Sequence, residues 1–144
     1  MKIINKNVLV PYQAEQIFDL VNDIENYPKF LPWCNKTEIL NTNQNSVDAV
    51  MHIDYLKIHH SFSTHNDICR PTQIKMHLIN GPFKSLEGYW NFTPIDNIGC
   101  KIDFCLKYEF TSHILSAVIA PVFNLIADSM VDAFIKEADK RYDE

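Results

Sequence analysis

Five of the six histidines fall between His52 and His77. Imidazole ligates metals and moves protons near neutral pH, which makes His52, His59, His60, His65 and His77 candidates for either chemistry. Their spacing argues against a shared ion. Neighbouring strand residues point to opposite faces, which separates His59 from His60. No HExxH occurs, and no Cys/His pairing has zinc-ligand spacing. No metal site is expected, and these side chains read as solvent-facing sheet histidines. Cys34, beside Trp33, is the thiol to consider as a nucleophile. No helix N-terminus or basic partner lies near it in sequence to lower its pKa. Cys34, Cys69, Cys100 and Cys105 form no CxxC pair and read as free thiols of a reducing cytoplasm. Asp19, Asp23 and Glu25 offer carboxylates for general acid–base work, yet they sit where a helix ordinarily carries its solvated charges. There is no GxSxG and no phosphate loop. No residue is assigned a catalytic role.

The remaining chemistry is apolar, and it lies on recognisable elements. Lys2–Val10 alternates as a first strand. Ala14, Ile17, Phe18 and Val21 then recur at helical spacing, with Ile24 continuing the stripe. Tyr27, Phe30, Leu31 and Trp33 crowd around Pro28 and Pro32 in a stiff apolar loop. Strands follow over Thr37–Leu40, Val47–Tyr55 and Ile58–Asp67, the last with a weaker signal. Ile74, Met76 and Leu78 alternate with Lys75 and His77. Leu86, Gly88, Trp90 and Phe92 share one strand face, with Gly88 a point of bending or close approach. Ile102, Phe104, Leu106, Tyr108 and Phe110 share another. From Ser112 the period becomes helical, and Leu115, Val118, Ile119, Val122, Phe123, Ile126, Met130, Phe134 and Ile135 trace a broad stripe. Pro121 predicts a kink or break near Ala120. Strand, helix, about six antiparallel strands and a long helix make an α+β domain.

The 144 residues fit one domain, 1–144. Apolar residues make up 47%, which argues against disorder. The net charge is −5, and no block is basic. Residues 1–50 carry four lysines against six acids, residues 51–110 six basic against six acidic, and residues 111–144 three against six. General nucleic-acid binding, which depends on Lys and Arg meeting phosphates, is therefore not expected. No signal peptide and no apolar run of membrane-spanning length is evident.

Three blocks carry a family resemblance: VPYQAEQIFDLVNDIENYPKFLPWC from Val10, GPFKSLEGYWNF from Gly81, and YEF at Tyr108 through APVFNLIADSMVDAFIKEADKRY to Tyr142. They resemble the oligoketide cyclase/lipid-transport family, which includes coenzyme Q-binding proteins and bacterial ribosome association toxins. The resemblance implies the helix-grip, or START-like, fold: a curved antiparallel sheet of six or seven strands around a long C-terminal helix, with a cavity between them. Gln13 departs from the family, which commonly has Ser there as a helix cap, at a cost of about 1 kcal/mol.

With that fold, the inward set Phe30, Trp33, Phe83, Leu86, Trp90, Phe104, Tyr108, Val122, Phe123, Ile126 and Met130 is the candidate ligand cavity. The resemblance implies a non-enzymatic lipid-binding protein that holds a polyprenyl quinone such as ubiquinone and supports respiration. No cofactor is required beyond that ligand. The protein is expected in the cytoplasm, with transient contact at the inner membrane. Two alternatives follow from the same resemblance. One is a ribosome association toxin that binds the large ribosomal subunit and blocks subunit joining, with Lys29, Lys36 and Lys84 as surface probes. The other is a polyketide cyclase, which needs polar groups inside the cavity.

Overall fold

A short amphipathic helix after the first strand, a long apolar-faced helix after the last, and alternating strands between them produce a sheet that grips a helix. In the computed structural model, which describes residues 1–142, the elements are β1 (Lys2–Val10), α1 (Ala14–Asn22), a 3₁₀ segment (Ile24–Lys29), β2 (Cys34–Thr42), β3 (Ser46–Tyr55), β4 (Ile58–Cys69), β5 (Gln73–Asn80), β6 (Phe83–Ile95), β7 (Gly99–Phe110) and α2 (His113–Tyr142). The seven strands form one curved antiparallel sheet in the order β1-β7-β6-β5-β4-β3-β2. Consecutive strands pair as neighbours, and β1 returns to the far edge against β7, from Lys2 opposite Tyr108 to Val10 opposite Cys100. This is the START-like helix-grip fold that the sequence resemblance implies.

The alternation expected in β6 and β7 is the alternation observed. Leu86, Trp90, Phe92, Ile102, Phe104 and Tyr108 are all buried on the inner face. Gly88 is a point of close approach. A Cβ there would lie 2.5 Å from the Cys105 carbonyl oxygen, with the Leu106 and Met76 side chains also in the way. β4 is longer than its polar text predicts and reaches Cys69.

α1 starts without a Ser cap, but the Gln13 backbone N–H donates to Gln16 Oε1 at 2.9 Å, which satisfies one donor of the first turn. Phe18 then packs edge-on to Phe92, with centroids 6.0 Å apart. Arg70 clamps the other side of α1 to the sheet, donating from Nε and Nη2 to the two oxygens of Asp19 at 2.9 Å each.

α2 is capped by Ser112, whose Oγ accepts the Leu115 N–H at 3.1 Å. The break expected near Ala120 does not occur, and the helix runs unbroken from His113 to Tyr142. Pro121 and Ala117 both lie on the solvent side, so water can serve the Ala117 carbonyl that has lost its helical partner. The inner face of α2 buries Ile119, Val122, Phe123, Ile126, Ala127, Val131, Phe134 and Ala138. By length and composition α2 could cross a membrane, but in this fold it is the helix the sheet wraps.

Candidate functional site

Between the sheet and α2 lies a cavity of about 60 Å³. Its sheet wall is Met51 on β3, Phe62, Thr64 and Asn66 on β4, Met76 on β5, Leu86 and Trp90 on β6, and Phe104 and Leu106 on β7. α2 supplies Phe123, Ile126, Ala127, Met130 and Phe134. Ile24, Tyr27 and Trp33 close it from the segment after α1. Edge and face contacts fix the rings: Trp90 lies 4.4 Å from Phe104 and 5.4 Å from Phe134, centroid to centroid.

The loop Tyr27–Trp33 is folded inward as a wall of this cavity. Tyr27, Leu31 and Trp33 are buried. The Tyr27 hydroxyl donates to the Val21 carbonyl oxygen, and burial pushes its pKa up. Backbone bonds pin the rest: Leu31 N–H to the Tyr27 carbonyl at 2.9 Å, and Asp54 N–H to the Trp33 carbonyl at 2.9 Å. Thr37 Oγ1 donates to the Ile24 carbonyl at 3.1 Å.

Seven of the expected cavity residues line it: Trp33, Leu86, Trp90, Phe104, Phe123, Ile126 and Met130. Four do not. Phe83 and Tyr108 lie beyond one end, where they pack with Phe110 and Phe123 in an aromatic plug. There Phe83 stacks on Phe110 at 4.9 Å, and Tyr108 meets Phe123 edge-on at 4.7 Å. The Tyr108 hydroxyl is spent on Asn124 Oδ1. Val122 is buried in the core without lining the cavity. Phe30 packs edge-on against Phe134 and Tyr27 at 5.5 and 6.1 Å from outside the cavity and borders a separate groove, with the Arg141 guanidinium 5.4 Å from its ring centre.

That groove is open and large, about 720 Å³, and runs between the loop and α2. Its floor is apolar, with Phe30, Pro32, Trp33, Leu125 and Ile126. Its rim is charged, with Lys29, Asp132, Lys136, Glu137 and Lys140. Trp33 and Ile126 border both spaces.

Sequence reasoning missed the cavity's polar pair. Phe62, Thr64 and Asn66 alternate on β4 and face inward together. The polar Ser63 and His65 between them, and the pair His59–His60 before them, mask that face in the sequence. It also missed that Met51, Met76 and Met130, every methionine after Met1, line the same cavity.

The chemistry-bearing residues lie elsewhere. His52 contacts Glu38 at 2.8 Å, His59 contacts Asp54 at 2.9 Å, and His65 bridges Asp48 and Asp67 on the outer face of the sheet. Hydrogen bonds from the His65 ring to the Asp48 and Asp67 carboxylates raise its pKa. Among the described residues no group of three or more His, Cys, Asp or Glu is placed to share a metal. Burial raises the Cys34 thiol to about 11 and does the same for Cys100. No Asp, Glu, His, Lys, Arg or Cys among the described residues lines the cavity.

A family model described as polyketide cyclase/dehydrase and lipid transport matches residues 10–135, which span every element of this site. The chain belongs to that family. Across 142 residues it is 39% identical to the ribosome association toxin RatA of Escherichia coli, covering 99% of this chain and 90% of that protein. It is 27% identical to the mitochondrial coenzyme Q-binding protein COQ10 homolog B of Xenopus laevis, over 96% of this chain and 58% of that protein. Among solved structures, a START superfamily protein from Mycobacterium smegmatis superposes with a TM-score of 0.74 at 20% identity, covering 96% of this chain and 95% of the other.

Proposed function

We propose that this chain is a non-enzymatic lipid-binding protein whose ligand is a polyprenyl quinone of the ubiquinone type. The observation that carries the reading is the apolar cavity between sheet and α2, walled by rings and by three methionines. Unbranched thioether side chains repack around different shapes. Such a wall suits a site that must widen, since about 60 Å³ is far below the roughly 300–1,000 Å³ of ordinary ligand pockets. The head group occupies the cavity, and the isoprenoid tail leaves between Trp33 and Ile126 into the outer groove. Transfer of the tail from water releases roughly 25 cal/mol per Å² of apolar surface. The coenzyme Q-binding name of the Xenopus relative supports this ligand class.

No cofactor beyond the ligand is needed, and no step of chemistry is assigned. Besides the indole N–H groups of Trp33 and Trp90, the polar groups in the cavity are those of Tyr27, Thr64 and Asn66, and the Tyr27 hydroxyl already donates to Val21. A cyclase needs a proton donor or acceptor poised near the working pH, and the cavity offers none. The protein works in the cytoplasm and meets membranes transiently through the exposed apolar side chains Ile114, Val118 and Leu125 of α2. Organic extraction of protein purified from a quinone-replete host is expected to yield stoichiometric quinone. Extracts that contain none overturn the reading.

A second reading is favoured by the relatives rather than by the cavity: association with the large ribosomal subunit, blocking subunit joining. The 39% identity to RatA over nearly the whole chain supports it. Of the three lysines considered as probes, Lys36 and Lys84 pair with Glu38 and Glu109 at 3.8 and 3.5 Å, while Lys29 borders the groove. Overexpression is expected to raise free subunits at the expense of assembled ribosomes in sucrose gradients. An unchanged profile removes this reading and leaves the lipid site standing.

A further inference from the structure

The cavity lining is mostly apolar, and Thr64 and Asn66 supply its one aliphatic hydroxyl and its one side-chain amide. Thr64 and Asn66 are two residues apart on β4, which puts both side chains on the inner face, and they are 1% and 5% exposed. Thr64 Oγ1 donates to Asn66 Oδ1 at 2.9 Å. That bond orients the amide and leaves Asn66 Nδ2 as the free end. No described residue accepts a hydrogen bond from Nδ2. The atom is not sealed off, since Asn22 Oδ1 is the one fully enclosed side-chain N or O without a partner among the described residues, and a donor left with surface in a low-dielectric cavity gains from an acceptor brought to it. The neighbouring polar groups do not serve it: Ser63 faces the other way and accepts the Asn80 N–H at 3.1 Å, and the Tyr27 hydroxyl bonds Val21 rather than Asn66.

We propose that Asn66, held by Thr64, is the head-group anchor of this cavity and selects apolar ligands whose leading end carries a neutral carbonyl oxygen. The proposal rests on the lipid-binding reading and adds the polarity of the ligand's buried end. An N–H donor needs an acceptor, so a pure hydrocarbon leaves it unpaired. A carboxylate or phosphate would bring a charge into a cavity that no cation lines, which burial penalises heavily. A ketone, quinone or ester oxygen meets the donor without that penalty. Asn66 touches the ligand, and Thr64 is a positioning residue that fixes which end of the amide faces it. The fold holds both in place: Thr64 lies opposite Leu78 and Asn66 opposite Met76 across β5. On the outer face, His65 ties β4 to β3 through Asp48.

Trp33 and Trp90 line the cavity, so their fluorescence, with competition against a fluorescent lipid, reports its filling. The probes are a short-tailed ubiquinone and the isoprenoid hydrocarbon that matches its tail. The wild-type protein is expected to bind the quinone at least tenfold more tightly than the hydrocarbon, since a site built to hydrogen-bond a group rejects the analogue that lacks it. Asn66→Leu is expected to lose tenfold or more for the quinone and nothing for the hydrocarbon. Thr64→Val, nearly the same shape, is expected to lose a few-fold for the quinone alone, and it carries the test if Asn66→Leu does not fold. Equal affinity of the wild type for both probes overturns the anchor but leaves the lipid reading intact, as does a preference that survives in both variants. Failure of both probes to bind overturns the lipid reading and the anchor with it.

Discussion

Trp33 on the loop and Ile126 on α2 stand between the interior cavity and the outer groove, each bordering both. Trp33 is pinned through its carbonyl to the Asp54 N–H, so its backbone cannot swing freely and any opening falls to side chains. Ile126→Ala is therefore expected to speed exchange of bound lipid. It also costs about 2–5 kcal/mol of stability through the lost methyl groups and the space left behind. Stopped-flow exchange and urea unfolding separate the two effects. Exchange unchanged in a folded variant would show that the ligand takes another path.

The buried thiols set an alkaline limit on stability. Cys34 and Cys100 are raised from the ordinary 9.0 to about 11 by burial. Above pH 9 the unfolded chain gives up these protons while the folded chain keeps them. The unfolded state then binds fewer protons, so stability falls as pH rises. The contribution is complete below pH 9 and is lost between 9 and 11, of the order of 2 kcal/mol for each thiol. Urea titrations across that window check it. At pH 8 a thiol reagent is expected to modify exposed Cys69 first, with the other three reacting only on unfolding.

Methionine gives the cavity its adaptability. Replacing Met51, Met76 and Met130 together by Leu keeps volume nearly constant, so each change is expected to cost less than about 1.5 kcal/mol. The expected functional result is a narrower range of accepted ligands. Affinities for a series of quinones of increasing ring bulk would fall more steeply than in the wild type.

Pro121 sits unbroken within α2. Pro121→Ala restores an N–H for the Ala117 carbonyl and removes the ring's clash with the preceding turn. A gain of about 1–3 kcal/mol is expected in denaturant unfolding. A loss would mean that the helix uses a bend at this point.

The first half of α2 presents Ile114 and Val118 to solvent, 78% and 54% exposed. The double change Ile114→Asp, Val118→Asp is expected to reduce co-flotation with anionic vesicles several-fold while leaving unfolding unchanged, because neither side chain packs inside. Equal flotation of both proteins would exclude this face as the contact.

Much of the site was legible from periodicity. Alternation placed Leu86, Trp90 and Phe104 on one sheet face, and the helical period placed Phe123, Ile126 and Met130 opposite them. Periodicity fixes a face but not how far along it a cavity extends. Phe83 and Tyr108 share that face yet lie past its end, where the bulk of Phe123 fills the space. Phe30 was unreadable for a different reason: a proline-bracketed loop has no repeat to give its side chains a direction. Thr64 and Asn66 were hidden by their polarity, although Phe62, Thr64 and Asn66 keep the strand's period of two. The break that Pro121 predicts is absent because a proline facing water loses less than one facing the core.

The pairing of β1 with β7 joins the first nine-residue strand to one that begins at Gly99. As the chain is synthesised, the strands from β2 to β6 can zip up one after another as neighbouring hairpins. β1 must wait for β7, and the inner face of the sheet stays open until α2, which follows β7, has emerged. Contacts between residues so distant in sequence are slow to form, and an uncovered apolar sheet face invites association with other chains. The cavity is thus the last part of the molecule to be enclosed, and a nascent chain shortened before α2 would expose it entirely.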